Sequence, residues 1–512
     1  MSNTLSRDAI DELIDILGKD NVLLDQQSRE LASSDIFLWP DAVLTQAVLR
    51  PETTPQLSKA LVILSKYKIP IVPRGAGLSY TASVVPFVDG VVIDCRNFNQ
   101  IEINAADLYA VVGSGTTWEA LADALKPLGL RAAQISPISG SHSTIGGTAS
   151  QNIPGGLEHF IGLTVALSDG SIIQTGSAAL TGNNSFLRYS GPDLTGLFLG
   201  DCGAFGVKVS LVVRLTVDRP ACFSSFQFNS ASDMMEAMVI LRQRELVTRA
   251  FSMDQLKAKS SSAVDVEEAL KIVKAVASNA SSILNRVKDL SHLALGKNDL
   301  LKSNWSLHLT TEALTMEIAS AQMDLAREVC KKNGHEIDNF VPKTMRVKPY
   351  SIRGMVGPDG ERWVPIHGVL PLSKANECMQ ALQLALNDKM SVFQSEGVSY
   401  SWIISTIGAY ITIEPMFYWM DQLDEIHFSN LSSRNQSRFS GRKINQPARD
   451  LVRESRENLR QIMSKYGAVH TQLGRFYPYL SLMSPESQGF VQRIKKALDP
   501  DGLMNSGVLG LS

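Results

Sequence analysis

The chain is short of several things that would narrow its class at once. Its 512 residues contain only five cysteines. These (Cys95, Cys202, Cys222, Cys330, Cys378) are scattered without a C-x-x-C pair. A disulfide framework or zinc knuckle is therefore not expected, and a reducing cytoplasm fits best. Charge of one sign is missing too: 49 Lys and Arg face 51 Asp and Glu, a formal net charge of -2. That balance excludes a broad basic surface for nucleic acid and a disordered acidic chain. There is no apolar run long enough to span a bilayer. The first residues, Met1 to Asp8, lack a basic, then apolar, leader, so no secretory signal is expected. No G-x-x-x-x-G-K-[ST] occurs, which argues against a P-loop nucleotidase. What remains is an ordinary globular balance, 44% hydrophobic and 20% charged, with a large core.

Periodicity gives the organisation. Residues 8–17 and 54–67 read as helices, with Thr54 and Pro55 as N-cap and first turn. Short apolar strands follow at 69–73, 90–95 and 108–113, and a helix at 118–128. Residues 136–156 are rich in Gly, Ser and Thr without helical period and read as loop. A strand, a turn at Asp169-Gly170 and a second strand occupy 160–174, and 207–215 is a further strand. Beyond Pro220 the Gly-rich texture stops. Helical patterns dominate 231–300, strands and helices alternate to 386, and a β-rich run covers 400–419. The polar stretch 429–449 reads as a solvated loop, and helices close the chain.

Three segments carry paired glycines after a strand: Arg74-Gly-Ala-Gly-Leu-Ser79, Gly113-Ser-Gly-Thr-Thr117, and Thr144-Ile-Gly-Gly-Thr-Ala-Ser-Gln-Asn152. Without a Cβ in the way, main-chain amides of such turns converge on phosphate oxygens. None is a complete G-x-G-x-x-G.

Taken together and in order, these segments resemble the FAD-binding vanillyl-alcohol oxidase/p-cresol methylhydroxylase (PCMH-type) flavoprotein superfamily. Ile71 to Ser79 is similar to its pyrophosphate loop, Ser143 to Asn152 to its second flavin loop, and Ile161 to Gly170 with Thr175-Gly176 to its strand–turn–strand signature. Pro192 to Val207 and Leu498-Asp-Pro-Asp-Gly-Leu-Met-Asn-Ser-Gly507 resemble its later motifs, with Ser506 where the family often has proline. The resemblance implies an α+β, two-domain fold. Residues 1–222 form the FAD-binding domain, 223–461 an antiparallel-sheet cap that takes the substrate, and 462–512 a segment returning to the first domain. It implies FAD contacts from Pro73, Arg74, Gly75, Ala76, Gly77, Leu78, Ser79, Pro137, Ser143, Thr144, Gly146, Gly147, Asn152, Gly203, Gly206, Val207 and Asn505. Relatives that tether FAD do so from a histidine near the first loop or from a strand of the cap; Gly77-Leu78-Ser79 offers no histidine, and the matching run Ile404 to Phe417 offers Tyr410 but no histidine. Non-covalent FAD is expected.

The resemblance implies dehydrogenation of a small-molecule C–H bond, with O2 or an electron carrier as acceptor. A homodimer is compatible with it. His470, in Gly467 to Arg475, suits proton abstraction because imidazole titrates near neutrality. It stands where the phenol-oxidising branch carries Tyr-Arg, and the Gly-Glu-His-Gly of the D-2-hydroxy-acid branch is absent. That branch's His-x-Gly-Asp-Gly-Asn-x-His pattern is missing near Ser405 to Thr412, so no metal is expected. Arg475 offers a bidentate partner for a substrate anion. His367 lies in an apolar strand, and Tyr410 and Glu414 share strand parity and so face one side. An aromatic or phenolic substrate is the leading reading, a D-2-hydroxy acid the second.

Overall fold

The computed structural model describes residues 5–133, 137–153, 156–262, 304–350 and 355–512. Two compact units result. The first comprises Met1–Asp218, Asp424–Asn430 and Thr471–Ser512, the second Arg219–Leu423 and Leu431–His470. The chain thus leaves the first unit at Asp218, where the expected bound was 222. After the short return at Asp424–Asn430 it rejoins that unit for good at Thr471, where 462 was expected, because the helix Gln446–Lys465 packs on the helix Ala375–Asn387 of the second unit.

The first unit holds two sheets. β1 (Val22–Leu23), β2 (Ala47–Leu49), β3 (Ile71–Arg74) and β4 (Val91–Asp94) form one, in the order β1-β2-β4-β3. β4 runs parallel to β2 and β3. The parallel pairing needs a crossover, which the helix Thr54–Lys66 supplies. Its cap is Thr53, one residue before the expected Thr54: Thr53 Oγ1 accepts from Gln56 N while Gln56 Oε1 accepts from Thr53 N. Leu57, Leu61 and Leu64 are fully buried along one stripe of this helix, in the same core as Ile71, Val91 and Ile93.

The second sheet contains β5 (Ile101–Asn104), β6 (Tyr109–Gly113), β7 (Leu130–Ala132), β8 (Phe160–Ala166), β9 (Ile172–Gln174) and β10 (Val207–Val217). Its order is β5-β6-β10-β8-β9, with β7 also on β10. Between β7 and β8 the structure has a helix, Ile145–Gln151, where the composition suggested only loop. Thr144 caps it through Gly147 N, and Asn152 ends it in the left-handed conformation.

The second unit is built on an antiparallel sheet of β11 (Ala221–Phe228), β12 (Arg249–Asp254), β13 (Trp305–Glu312), β14 (His335–Ile337), β15 (Arg362–Pro365), β16 (Gly368–Pro371), β17 (Val398–Ile407) and β18 (Tyr410–Trp419). The order is β14-β11-β13-β12-β17-β18-β15, with β16 also on β18. Registers assign its faces. Phe226, Leu307, Ile404, Ile411 and Ile413 share the apolar face and are fully buried. The helices Ala231–Gln243 and Met316–Cys330 pack on β11 and β13, and Ala375–Asn387 on β18. The opposite face carries Ser225, His308, Phe251, Ser405 and Thr412 in one cross-strand row.

Candidate active site

The loop after β3 is the focus of the first unit. Its amides at Ala76, Gly77, Leu78 and Ser79 donate to no main-chain carbonyl among the described residues. Four consecutive free amides next to a Gly-rich turn make a concavity for anionic oxygens. The loop is held from beneath. Arg74 is buried and donates through Nη1 to Ser34 O (2.6 Å) and Ala32 O (3.2 Å). Gly77 has φ +78°, and a Cβ there would run into the Arg74 guanidinium. Arg74 is therefore a support under the loop. Burial lowers its pKa to about 10.

Asp35 fixes the loop's far end. Its carboxylate accepts from Phe37 N (2.9 Å), Trp39 Nε1 (2.8 Å) and Ala82 N (2.9 Å). Ala82 is held at φ 58°. Burial pushes the Asp35 carboxyl up to about 7 despite these donors. Ser79, Thr81 and Ser83 form a hydroxyl cluster, with Ser79 Oγ 3.2 Å from Thr81 Oγ1 and 3.0 Å from Ser83 Oγ.

Pro73, Arg74, Gly75, Thr144, Gly146, Gly147, Gln151, Gly203 and Gly206 line one cleft with Cys202 and Lys208. The glycines are required by close approach: a Cβ on Gly146 would lie 2.6 Å from Ser114 Cβ, and one on Gly203 3.1 Å from Pro73 Cγ. Gly146 N donates to Ser114 O (2.9 Å) and Gly147 N to Thr144 Oγ1 (3.1 Å), so both amides are already engaged. Lys208 is buried and donates to Asp201 Oδ1 at 2.5 Å. The same carboxylate accepts from Gly203 N, which shapes the turn through Gly203 and Gly206.

The remaining expected contacts have other work in the structure. Pro137 O accepts from Gly140 N, and Ser143 Oγ lies 2.7 Å from Ser139 Oγ. Asn152 is the helix C-cap and Val207 is a buried start of β10. Asn505 Nδ2 donates to Ser83 O and Cys202 O, both at 2.7 Å, clamping two loops together. Arg475 needs correction. Its guanidinium donates to Ala82 O (2.6 Å), Ser506 O (2.6 Å), Val85 O (3.3 Å) and Asn505 Oδ1 (3.1 Å), and stacks 4.8 Å from the Phe87 ring. That makes it a staple between segments, not an anchor for a substrate anion.

In the second unit His470 and His367 come together. His470 Nδ1 lies 2.9 Å from His367 O. A carbonyl only accepts, so Nδ1 carries the proton and neutral imidazole presents its lone pair at Nε2. Burial lowers the His470 pKa below 6.5. His367 itself lies between β15 and β16, not inside a continuous strand. Tyr410 and Glu414 share the polar sheet face with Thr412, whose Oγ1 is buried without a hydrogen-bond partner among the described residues. Burial raises Glu414 to about 7. His308, in the same row as Thr412, lies between Ser225 Oγ (2.9 Å) and Ser306 Oγ (3.1 Å), and burial lowers it to about 3, so it is neutral. Among the described residues no cluster of His, Cys, Asp or Glu is placed to hold a metal, and no helix is long and apolar enough to cross a membrane.

Residues 45–176 match the family of FAD binding domains. Among curated proteins the chain is similar to the glycolate oxidase subunit GlcD of Bacillus subtilis, 32% identical over 221 residues (41% of this chain, 45% of the relative). It is also similar to the D-lactate dehydrogenase of Archaeoglobus fulgidus, 27% identical over 218 residues (40% and 47%). The chain thus spans about half the length of these relatives. In fold it resembles p-cresol methylhydroxylase (TM-score 0.73, 17% identity, 100% of this chain and 99% of that one). The 4-ethylphenol oxidase of Gulosibacter chungangensis is similar too (TM-score 0.72, 16% identity, 98% and 97%). The free amides and the Cβ-intolerant glycines fit a dinucleotide pyrophosphate, so residues 45–176 form an FAD binding domain, with FAD as its cofactor, in a chain that shares the fold of p-cresol methylhydroxylase.

Proposed function

We propose that the chain is an FAD-dependent oxidoreductase that removes a hydride from an alcohol or benzylic carbon of a small, aromatic or phenolic substrate. The observations that carry this are the glycine-walled cleft of the first unit, which Gly75 lines, and the four free amides that follow Gly75 in the chain. Bound FAD supplies the hydride acceptor at N5, and O2 or an electron carrier reoxidises it. The loop amides of 76–79 hold the pyrophosphate without a covalent tether. His470 takes the substrate proton at Nε2, and the His367 carbonyl fixes the tautomer that leaves this atom basic. Tyr410 and Glu414 belong to the polar sheet face, where Phe251 and hydroxyls supply contacts for an aromatic alcohol.

A D-2-hydroxy acid is the second reading, favoured by the relatives glycolate oxidase and D-lactate dehydrogenase. The fold likeness to p-cresol methylhydroxylase and 4-ethylphenol oxidase along the whole chain favours the first. Five unpaired cysteines fit a reducing cytoplasm, and a homodimer remains part of the proposal. Anaerobic stopped-flow mixing with alkylphenols, aryl alcohols, D-2-hydroxy acids and sugar alcohols tests it. Fastest flavin reduction by a phenol or aryl alcohol supports the first reading; fastest reduction by a hydroxy acid replaces it with the second.

A further inference from the structure

Gln151 stands at the C-terminal end of the helix Ile145–Gln151 and lines the cleft. It is 8% exposed, and its Oε1 is buried with no hydrogen-bond partner among the described residues. The orientation of the amide is set from the other side: Nε2 donates to Ser83 Oγ at 2.5 Å, and Ser83 Oγ also meets Ser79 Oγ at 3.0 Å. The main chain is pinned as well, because Gln472 N donates to Gln151 O at 2.5 Å. A buried carbonyl without a donor is costly, on the order of 1–3 kcal/mol. A fixed orphan acceptor in the wall of a ligand cleft therefore marks the place of a donor on the ligand.

We infer that Gln151 Oε1 is the acceptor for the ring N3–H of the bound isoalloxazine. Oxidised isoalloxazine has one N–H, at N3, and its other polar ring atoms accept. The ring end of the cofactor is chosen over the ribityl chain because Gln472, which holds Gln151, follows the base His470 by two residues of chain. In that respect the inference rests on the proposed function. Gln151 acts as a positioning residue. It aligns the ring and selects a flavin over a dinucleotide whose ring lacks this donor.

The test uses the full chain, stripped of cofactor and titrated with FAD by fluorescence quenching, for wild type, Gln151→Met and Ser83→Ala. Gln151→Met should weaken FAD binding about tenfold, the worth of one buried hydrogen bond. Ser83→Ala, which leaves Oε1 in place, should weaken it much less. A second readout separates ring from ribityl. In the wild-type complex, alkaline ionisation of flavin N3–H, followed in the visible bands, should be displaced to higher pH than in free FAD. Gln151→Met should return it toward the free value. Equal FAD affinity in Gln151→Met and wild type, or an N3 ionisation that does not differ between them, overturns the inference while leaving the FAD enzyme intact. A wild-type chain that takes up no FAD overturns both.

Discussion

The imidazole of His470 is bound through Nδ1 to the main-chain oxygen of His367, 2.9 Å away. The two residues are 103 positions apart in sequence. The contact decides which nitrogen is basic, and burial decides at what pH. His470→Ala should slow anaerobic flavin reduction by about 100-fold or more. Because burial lowers the His470 pKa, the imidazole stays neutral to below the ordinary 6.5. The rate of flavin reduction should therefore hold its plateau through neutrality and fall only as pH drops through that lowered value. Rapid-mixing rates across pH check this; an unchanged rate in the alanine variant removes His470 from the reaction.

Gly77→Ala should damage the cofactor loop. The position has φ +78°, and the added methyl collides with the guanidinium of Arg74. Left-handed strain alone costs about 1–3 kcal/mol. The expected outcome is a lower urea midpoint together with weaker FAD retention on gel filtration. Retention equal to wild type would mean that the loop does not hold the cofactor.

Arg475→Ala should act on stability and not on the proton step. The change strips donors from Ala82 O, Ser506 O, Val85 O and Asn505 Oδ1, each buried acceptor left unpaired costing about 1–3 kcal/mol. The urea midpoint should fall sharply, while the pH at which the surviving rate declines stays where it is in wild type. A shifted pH profile with unchanged stability would restore Arg475 to the chemistry.

Asp35 gives the first unit a pH signature. Burial holds its folded-state carboxyl at about 7, above the ordinary 3.8. Between these values the folded chain binds more protons at this site than the unfolded one. Its contribution to stability is therefore complete below the unfolded value and is lost as pH rises through about 7. Asp35→Asn should flatten that part of the stability curve, measured by urea unfolding at about pH 5 and about pH 8. The same slope in both proteins would place the titration elsewhere.

Some of this could be read along the chain and some could not. The Gly-rich loop after β3 was legible because its chemistry is local: glycines, a preceding strand and no following helix. The shared face of Tyr410 and Glu414 followed from strand parity alone. The helix Ile145–Gln151 was hidden because Gly-Gly-Thr-Ala-Ser has no apolar period; its only signal was Thr144 placed three residues before Gly147. Arg475 was misread because its acceptor at Ala82 lies 393 residues away. The roles of Asp35 and Lys208 are not legible in the sequence for a related reason. An isolated acid or lysine in a sequence looks solvated until the fold buries it, and Asp35 meets Ala82 across 47 residues.

In the proposed function, FAD held by the first unit takes hydride from a substrate. The visible spectrum of the purified protein, before and after anaerobic addition of an alkylphenol or aryl alcohol, tests it most directly. Flavin bands that bleach on mixing and a yellow supernatant after acid precipitation are the expected result. A protein that stays colourless when given FAD, or whose flavin bands survive every phenol, alcohol and hydroxy acid offered, would contradict it.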